Sequence, residues 1–162
     1  TPEVFEVVRA TLAAVNSQVC AALGPLACGL AGDEIGLKAE RVPELGLVGI
    51  PVPCAPAAVL DALAAGKVPV IAPLAAGPLN VNADEAAAAL AVGIGADRIE
   101  FVTDVPGVLL DDEVVGQIAA DDADRMLAAG RFEGGIVPKL VAAVRAARGG
   151  VHAEIGVTRV VA

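Results

Sequence analysis

Val4, Val7, Val8, Leu12 and Val15 recur at spacings of three and four residues, the period of an amphipathic helix. Thr1 offers a capping hydroxyl, Pro2 suits the first helical position and Glu3 is an early acid, so a helix is predicted from Pro2 to about Leu23. Two short apolar runs follow, LACGL (Leu26 to Leu30) and the β-branched VPVIAPL (Val68 to Leu74), and both read as buried parallel strands. Between them LKAE and GLVGIPV suit a smaller hairpin, and an Ala/Leu helix from about Pro56 to Ala65 is ended by Gly66. The second half repeats the alternation. A helix is expected from Asp84 to about Val92, then the strand RIEFVTD, a turn at Val105-Pro106-Gly107, a helix from Asp121 to Ala129 and a last one from Ile136 to about Arg148. Strands alternating with helical patterns predict an α/β fold with a mainly parallel sheet, and such sheets bind ligands at the carboxyl ends of their strands.

Composition narrows the chemistry. With 162 residues, 56% of them hydrophobic, the chain has material for one core. Its apolar residues come in short runs broken by Gly, Pro or charge, none approaching the roughly 20 needed to cross a bilayer, and no leader pattern opens it. The expectation is a cytoplasmic protein with no membrane partner. Eleven basic against 20 acidic residues give a net charge of −9 without a Lys/Arg cluster, which argues against nucleic acid as a partner. An anionic ligand must then be held by local donors such as helix N-termini and single lysines. Cys20, Cys28 and Cys54 lack metal-type spacing and are expected to be buried reduced thiols. His152 is the only histidine, so a His-based metal site or a Ser/His/Asp triad has almost nothing to be built from.

Three motifs carry candidate chemistry. In NVNADEAAAALA, Asn80 and Asn82 alternate in an extended segment, so their amides face one side, and Asp84 stands at the mouth of an Ala-rich helix. Asx turns and an Asp N-cap are the commoner use of such residues. In IEFVTDVPGVLLDD, Thr103 and Asp104 come at a strand's carboxyl end, before a turn that leaves backbone groups free to meet a flat ligand. An ordinary βα loop has the same pattern. In EGGIVPKL, two glycines precede a helix start and Lys139 stands in the first turn, where the dipole opposes a cation. That lysine either holds an anion together with the helix amides or is a solvated surface charge. Neither GxxxxGK[ST] nor a strand-linked GxGxxG is present.

In this order and at these separations, the three motifs resemble the C-terminal part of acetylglutamate kinases, in the amino-acid kinase family. The upstream segments EVVRATLAAVNSQVCAALG, ACGLAGDEIGLKAE, ELGLVG and VLDALAAGKVPVIAPLA agree, so the resemblance covers essentially the whole chain. It implies an eight-stranded open αβα sandwich, ATP with Mg²⁺, and phosphorylation of the γ-carboxylate of N-acetyl-L-glutamate in arginine biosynthesis. On this basis Asn80 and Asn82 match the asparagines that hold the acetylamino acid. Asp84 matches the aspartate that orients two catalytic lysines, and Lys139 matches the second of those lysines. Thr103, Asp104, Val105, Pro106, Gly107, Val108 and Leu109 match one stretch around the nucleotide. Arg131, Phe132, Glu133, Gly134 and Gly135 match another. Residues 1–79 are then the remainder of a substrate-side half and 80–162 a nucleotide-binding half. A homodimer or higher oligomer is implied, and a PII-type signalling protein is admitted as a regulator.

The sequence departs from the family in three places. The family's N-terminal Gly-Gly-Lys strand with the first catalytic lysine, its substrate-side glycine pair and an arginine before Thr1 have no counterpart here. The Asp-Gly-Arg segment after His152 is missing, and LAAGPLNVNAD is short. Internal losses of this kind are expected where loops of a longer chain are disordered. Carrier-protein aminoadipate kinases usually carry Asn-Thr-Asp-Gly-Asp and Ser-Asn-Val-Pro-Gly, which NVNAD and TDVPG do not match. A non-catalytic nucleotide-binding module is the alternative that the missing first lysine permits. An unrelated Rossmann-type domain would need a glycine fingerprint that is absent.

Overall fold

Helix α1, Pro2–Leu23, forms where the periodicity places it, with the Val4 amide donating to the Thr1 hydroxyl at 3.5 Å and Gly24 at its end with φ 65°. The structure is a computed structural model that describes Thr1 to Ala162 and divides into two compact units, 1–86 and 87–162. In the first, α1 lies over a parallel pair, β1 (Ala27–Ala31) and, further along the chain, Val68–Ala72. Asn16 fastens helix to strand, its Nδ2 donating to the Val70 carbonyl at 2.7 Å. Gly29 makes the approach possible, since a Cβ there would lie 2.5 Å from Asn16 Oδ1. By length and composition α1 is apolar enough to cross a membrane. Its polar residues are nonetheless used within its own unit: besides Asn16, Arg9 pairs with Asp33 at 3.3 Å and Glu34 at 2.7 Å.

A second sheet of the same unit contains β2 (Ala39–Arg41) and β3 (Val48–Pro51), the antiparallel pair expected from LKAE and GLVGIPV. Helix α2 (Ala57–Ala64) then leads through Gly66 to β4 (Val68–Ala72). The VPVIAPL run is not one strand. It breaks at Pro73, after which β5 (Leu74–Ala75) pairs antiparallel with β6 (Leu79–Val81), itself parallel to β3. Helix α3 (Ala83–Ile94) carries the chain into the second unit.

There β7 (Arg98–Phe101) is followed by the small hairpin β8 (Leu109–Leu110) and β9 (Glu113–Val114), then β10 (Gln117–Ala119) and α4 (Ala120–Ala128). Helix α5 (Ile136–Arg148) precedes β11 (His152–Ile155) and β12 (Thr158–Val161), and the sheet order is β10-β12-β11-β7. Four fully buried residues of α5, Leu140, Ala142, Ala143 and Ala146, pack into a core with Phe101, Val108, Ile118, Ile155 and Val160. Alanine predominates on this face because a small side chain lets helix and sheet approach closely.

The result is the expected α/β fold. The longest strand pairings, β1 with β4 over five residue pairs and β7 with β11 over four, are parallel, and every antiparallel pairing joins strands adjacent in sequence. In the structure β5 and β6 join through Ala76-Gly77-Pro78, and β11 and β12 through Gly156-Val157, with Gly77 at φ 87° and Gly156 at φ 54°. Two expectations change. RIEFVTD pairs with β11 only as far as Phe101, where β11 turns back into its hairpin, so Val102 is 81% exposed and Thr103-Asp104 belong to a loop. The cysteines are free but only half-buried.

Candidate functional site

The chain leaves β7 at Phe101 and returns to the sheet only at β10, so residues 102–116 form a loop at the strand's carboxyl end. The Val105 amide donates weakly to Thr103 Oγ1 at 3.5 Å, and the Thr103 hydroxyl lies 3.4 Å from Asp104 Oδ1. The hairpin β8–β9 turns on Asp111 and Asp112, at φ 51° and 67°, the left-handed backbone that a two-residue hairpin loop requires. Asp111 Oδ1 accepts from Arg131 Nη2 at 2.8 Å, which ties this hairpin to the segment before α5.

A cleft of about 370 Å³ opens between that loop and the start of α5. Thr103, Asp104, Val105, Gly107 and Leu109 line one side; Arg131, Phe132, Glu133, Gly135, Ile136 and Lys139 line the other. The structure thus brings the second and third motifs together, although they are some 30 residues apart in the chain. Three residues of those stretches do not line the cleft. Pro106 turns its carbonyl to the Val157 amide, Val108 is fully buried in the core, and Gly134 serves the backbone at φ 67°. Ile136 is a lining residue that the motifs did not single out.

The floor of the cleft is electrostatically suited to an anion. Helix α5 starts at Gly135 with no side-chain cap and no acid in its first turn, while Arg145 and Arg148 occupy its last turn. Its first turn thus carries no acid, and Lys139 stands one turn in. Arg131, paired with Asp111 at 2.8 Å, also lines the cleft, and Asp104 and Glu133 supply acceptors for a ligand's donors. A larger cleft, about 480 Å³, lies at the opposite end of β7 and β11, around Asp97, Arg98 and His152. Arg98 there is engaged by Glu154 at 2.7 Å and Glu100 at 2.9 Å, and the cleft faces the strands' amino ends. The smaller cleft lies at the strands' carboxyl ends and holds the residues of the second and third motifs.

The first motif lies at the end of the first unit. Asn80 is half-buried on β6, with its backbone N–H donating to the Leu47 carbonyl at 2.9 Å. Asn82 caps α3: its Oδ1 accepts from the Glu85 amide at 3.0 Å and its carbonyl from the Ala86 amide at 2.9 Å. Capping thus falls to Asn82, while Asp84 and Glu85 occupy the first turn of α3, where the dipole favours acids. No group of three or more His, Cys, Asp or Glu side chains is placed to hold a metal ion.

Comparison with known proteins gives a consistent picture. Residues 2–156 match the Amino acid kinase family. The acetylglutamate kinase of Rubrobacter xylanophilus is 46% identical over 162 residues, which cover 96% of this chain and 63% of that protein. The acetylglutamate kinase of a Roseiflexus species is 41% identical over 150 residues, covering 86% of this chain and 58% of that protein. The chain therefore spans about three fifths of the length of these curated relatives. Among solved structures, N-acetylglutamate synthase from Neisseria gonorrhoeae in complex with coenzyme A and N-acetyl-glutamate superposes with a TM-score of 0.77 at 22% identity, over 97% of this chain and 43% of that one. At that identity the likeness concerns the fold.

Proposed function

Because the chain belongs to the amino acid kinase family, we propose that it forms the nucleotide-binding portion, and part of the substrate-binding portion, of an acetylglutamate kinase. The reaction is transfer of the γ-phosphoryl group of ATP to the γ-carboxylate of N-acetyl-L-glutamate, the second step of arginine biosynthesis. The observation that carries this reading is the cleft at the carboxyl end of β7, where a loop, a helix N-terminus and Lys139 converge.

Phosphoryl transfer between two anions asks the protein for positioning and charge neutralisation more than for an acid, a base or a covalent group. The nucleotide lies against Val105, Gly107 and Leu109, with its phosphates toward Gly135 and the α5 amino end. Lys139 stabilises charge that spreads over the moving phosphoryl group; a magnesium ion bound with the nucleotide would supply screening of the leaving phosphates. Asn80 and Asn82 hold the acetylamino acid, and Asp84 is the catalytic carboxylate that the family resemblance implies. The second unit is thus the nucleotide side, and the segment ending at Asp84 contributes to the substrate side. The same reading implies a cytoplasmic enzyme that forms at least a homodimer.

A coupled ADP-release assay with N-acetylglutamate, glutamate, aspartate and UMP as acceptors tests the substrate assignment. N-acetylglutamate should be preferred; equal rates with free glutamate would sink the assignment.

A further inference from the structure

Thr158 is the only buried polar residue in the chain, and its hydroxyl has two partners far away in sequence. Its Oγ1 accepts from the Val108 amide at 2.8 Å and donates to the Val115 carbonyl at 2.6 Å. Val108 and Val115 stand at the stem of the β8–β9 hairpin, where the Val115 amide also donates to the Val108 carbonyl at 3.0 Å. The hydroxyl completes that stem by occupying the place between the remaining amide and carbonyl. Two neighbours of Thr158 hold the loop on either side: the Val157 amide donates to the Pro106 carbonyl at 2.8 Å and the Arg159 amide to the Gly116 carbonyl at 3.0 Å.

Two glycines mark how close this approach is. A Cβ on Gly107 would lie 2.6 Å from Thr158 Oγ1, and one on Gly156 would lie 2.3 Å from the Pro106 carbonyl oxygen. Apart from the Asp111–Arg131 pair at the hairpin tip, the exposed part of the loop has little to hold it by comparison, since the hydrogen bonds around Thr103 are 3.4 to 3.5 Å long. The order of the cleft wall therefore comes from beneath, through the β11–β12 hairpin.

We propose that Thr158 is a positioning residue for nucleotide binding, fixing the stem of loop 102–116 so that Val105, Gly107 and Leu109 meet the nucleotide as a preformed wall. This rests on the reading of the cleft as a nucleotide site. A preformed wall spares the ligand the entropy of ordering the loop, so loss of the hydroxyl weakens binding without touching any group that contacts the ligand. Valine at this position keeps the shape and removes the hydroxyl, leaving a buried amide and a carbonyl without a partner. Serine keeps the hydroxyl.

Titration calorimetry with MgAMP-PNP and amide hydrogen exchange, on the wild-type chain and on Thr158→Val and Thr158→Ser, separate the outcomes. Thr158→Val should raise the Kd roughly tenfold and speed exchange in loop 102–116 at least as much, while the amides of α5 keep their protection. Thr158→Ser should return both quantities to within about threefold of wild type. Wild-type binding and loop exchange in Thr158→Val would overturn the inference, as would equal losses in both variants. If Thr158→Val does not fold, Gly107→Ala crowds the same hydroxyl from the loop side, and unchanged loop exchange in that variant overturns the inference. A wild-type chain that does not bind MgAMP-PNP sinks the reading of the cleft instead, and the exchange arm then decides alone whether Thr158 orders the loop.

Discussion

Lys139 occupies the first turn of α5, a position the helix dipole penalises by a few tenths to about 1 kcal/mol for a cation. A bound polyanion reverses the sign of that term. Since the charge on the phosphoryl group is most spread in the transition state, Lys139→Ala should lower kcat by about 10²-fold or more and raise the KM for ATP far less. Lys139→Arg should not restore full activity, because a planar guanidinium does not fit where a compact ammonium sits. Steady-state kinetics on both variants checks this, and a near-normal kcat in Lys139→Ala would reduce the residue to a surface charge. A second residue tests packing rather than chemistry. A Cβ on Gly32 would lie 2.0 Å from the Leu74 carbonyl oxygen, a backbone atom that cannot swing aside. Gly32→Ala should therefore cost roughly 1 to 3 kcal/mol in a denaturant titration. Residues such as Lys139 and Thr103 were legible because their motifs are local. Thr158 was not, since its partners lie 43 and 50 residues away and a buried hydroxyl leaves no periodic trace.

Among the elements, the β8–β9 turn is the one whose sequence conflicts with its backbone. Asp111 and Asp112 both adopt positive φ, where glycine and asparagine are favoured. Asp111 offsets this through its bond to Arg131, whereas Asp112→Gly should relieve strain and stabilise the hairpin by about 0.5 to 1 kcal/mol. Slower amide exchange at β8 and β9 in that variant is the check; faster exchange would contradict it. Long periodic segments were read to within a residue: α1 and α5 begin and end where the pattern says. β8 and β9 have two residues each and β10 three, too few to display an alternation, and β11–β12 is a hairpin whose Gly-Val turn is a weak signal. Asn82 shows a different limit. Its capping role and Asp84's place in the first turn depend on where α3 starts, and a boundary is what sequence reads least well.

For the molecule as a whole, one face of α1 exposes Val4, Val7, Val15 and Val19, each at least 40% accessible. An apolar stripe of this kind on a helix is costly to leave in water, and covering it with a second copy fits the dimer implied by the family resemblance. Light scattering of the full-length protein should give the mass of at least a dimer; a monomer at working concentrations would count against that part of the reading. The central claim concerns the nucleotide, and a map of amide exchange with and without MgAMP-PNP tests it most directly. The account predicts added protection over Thr103 to Leu109 and over Arg131 to Lys139, with none around Asp97 and His152. Protection centred on the Asp97–His152 cleft, or no protection at saturating nucleotide, would contradict it.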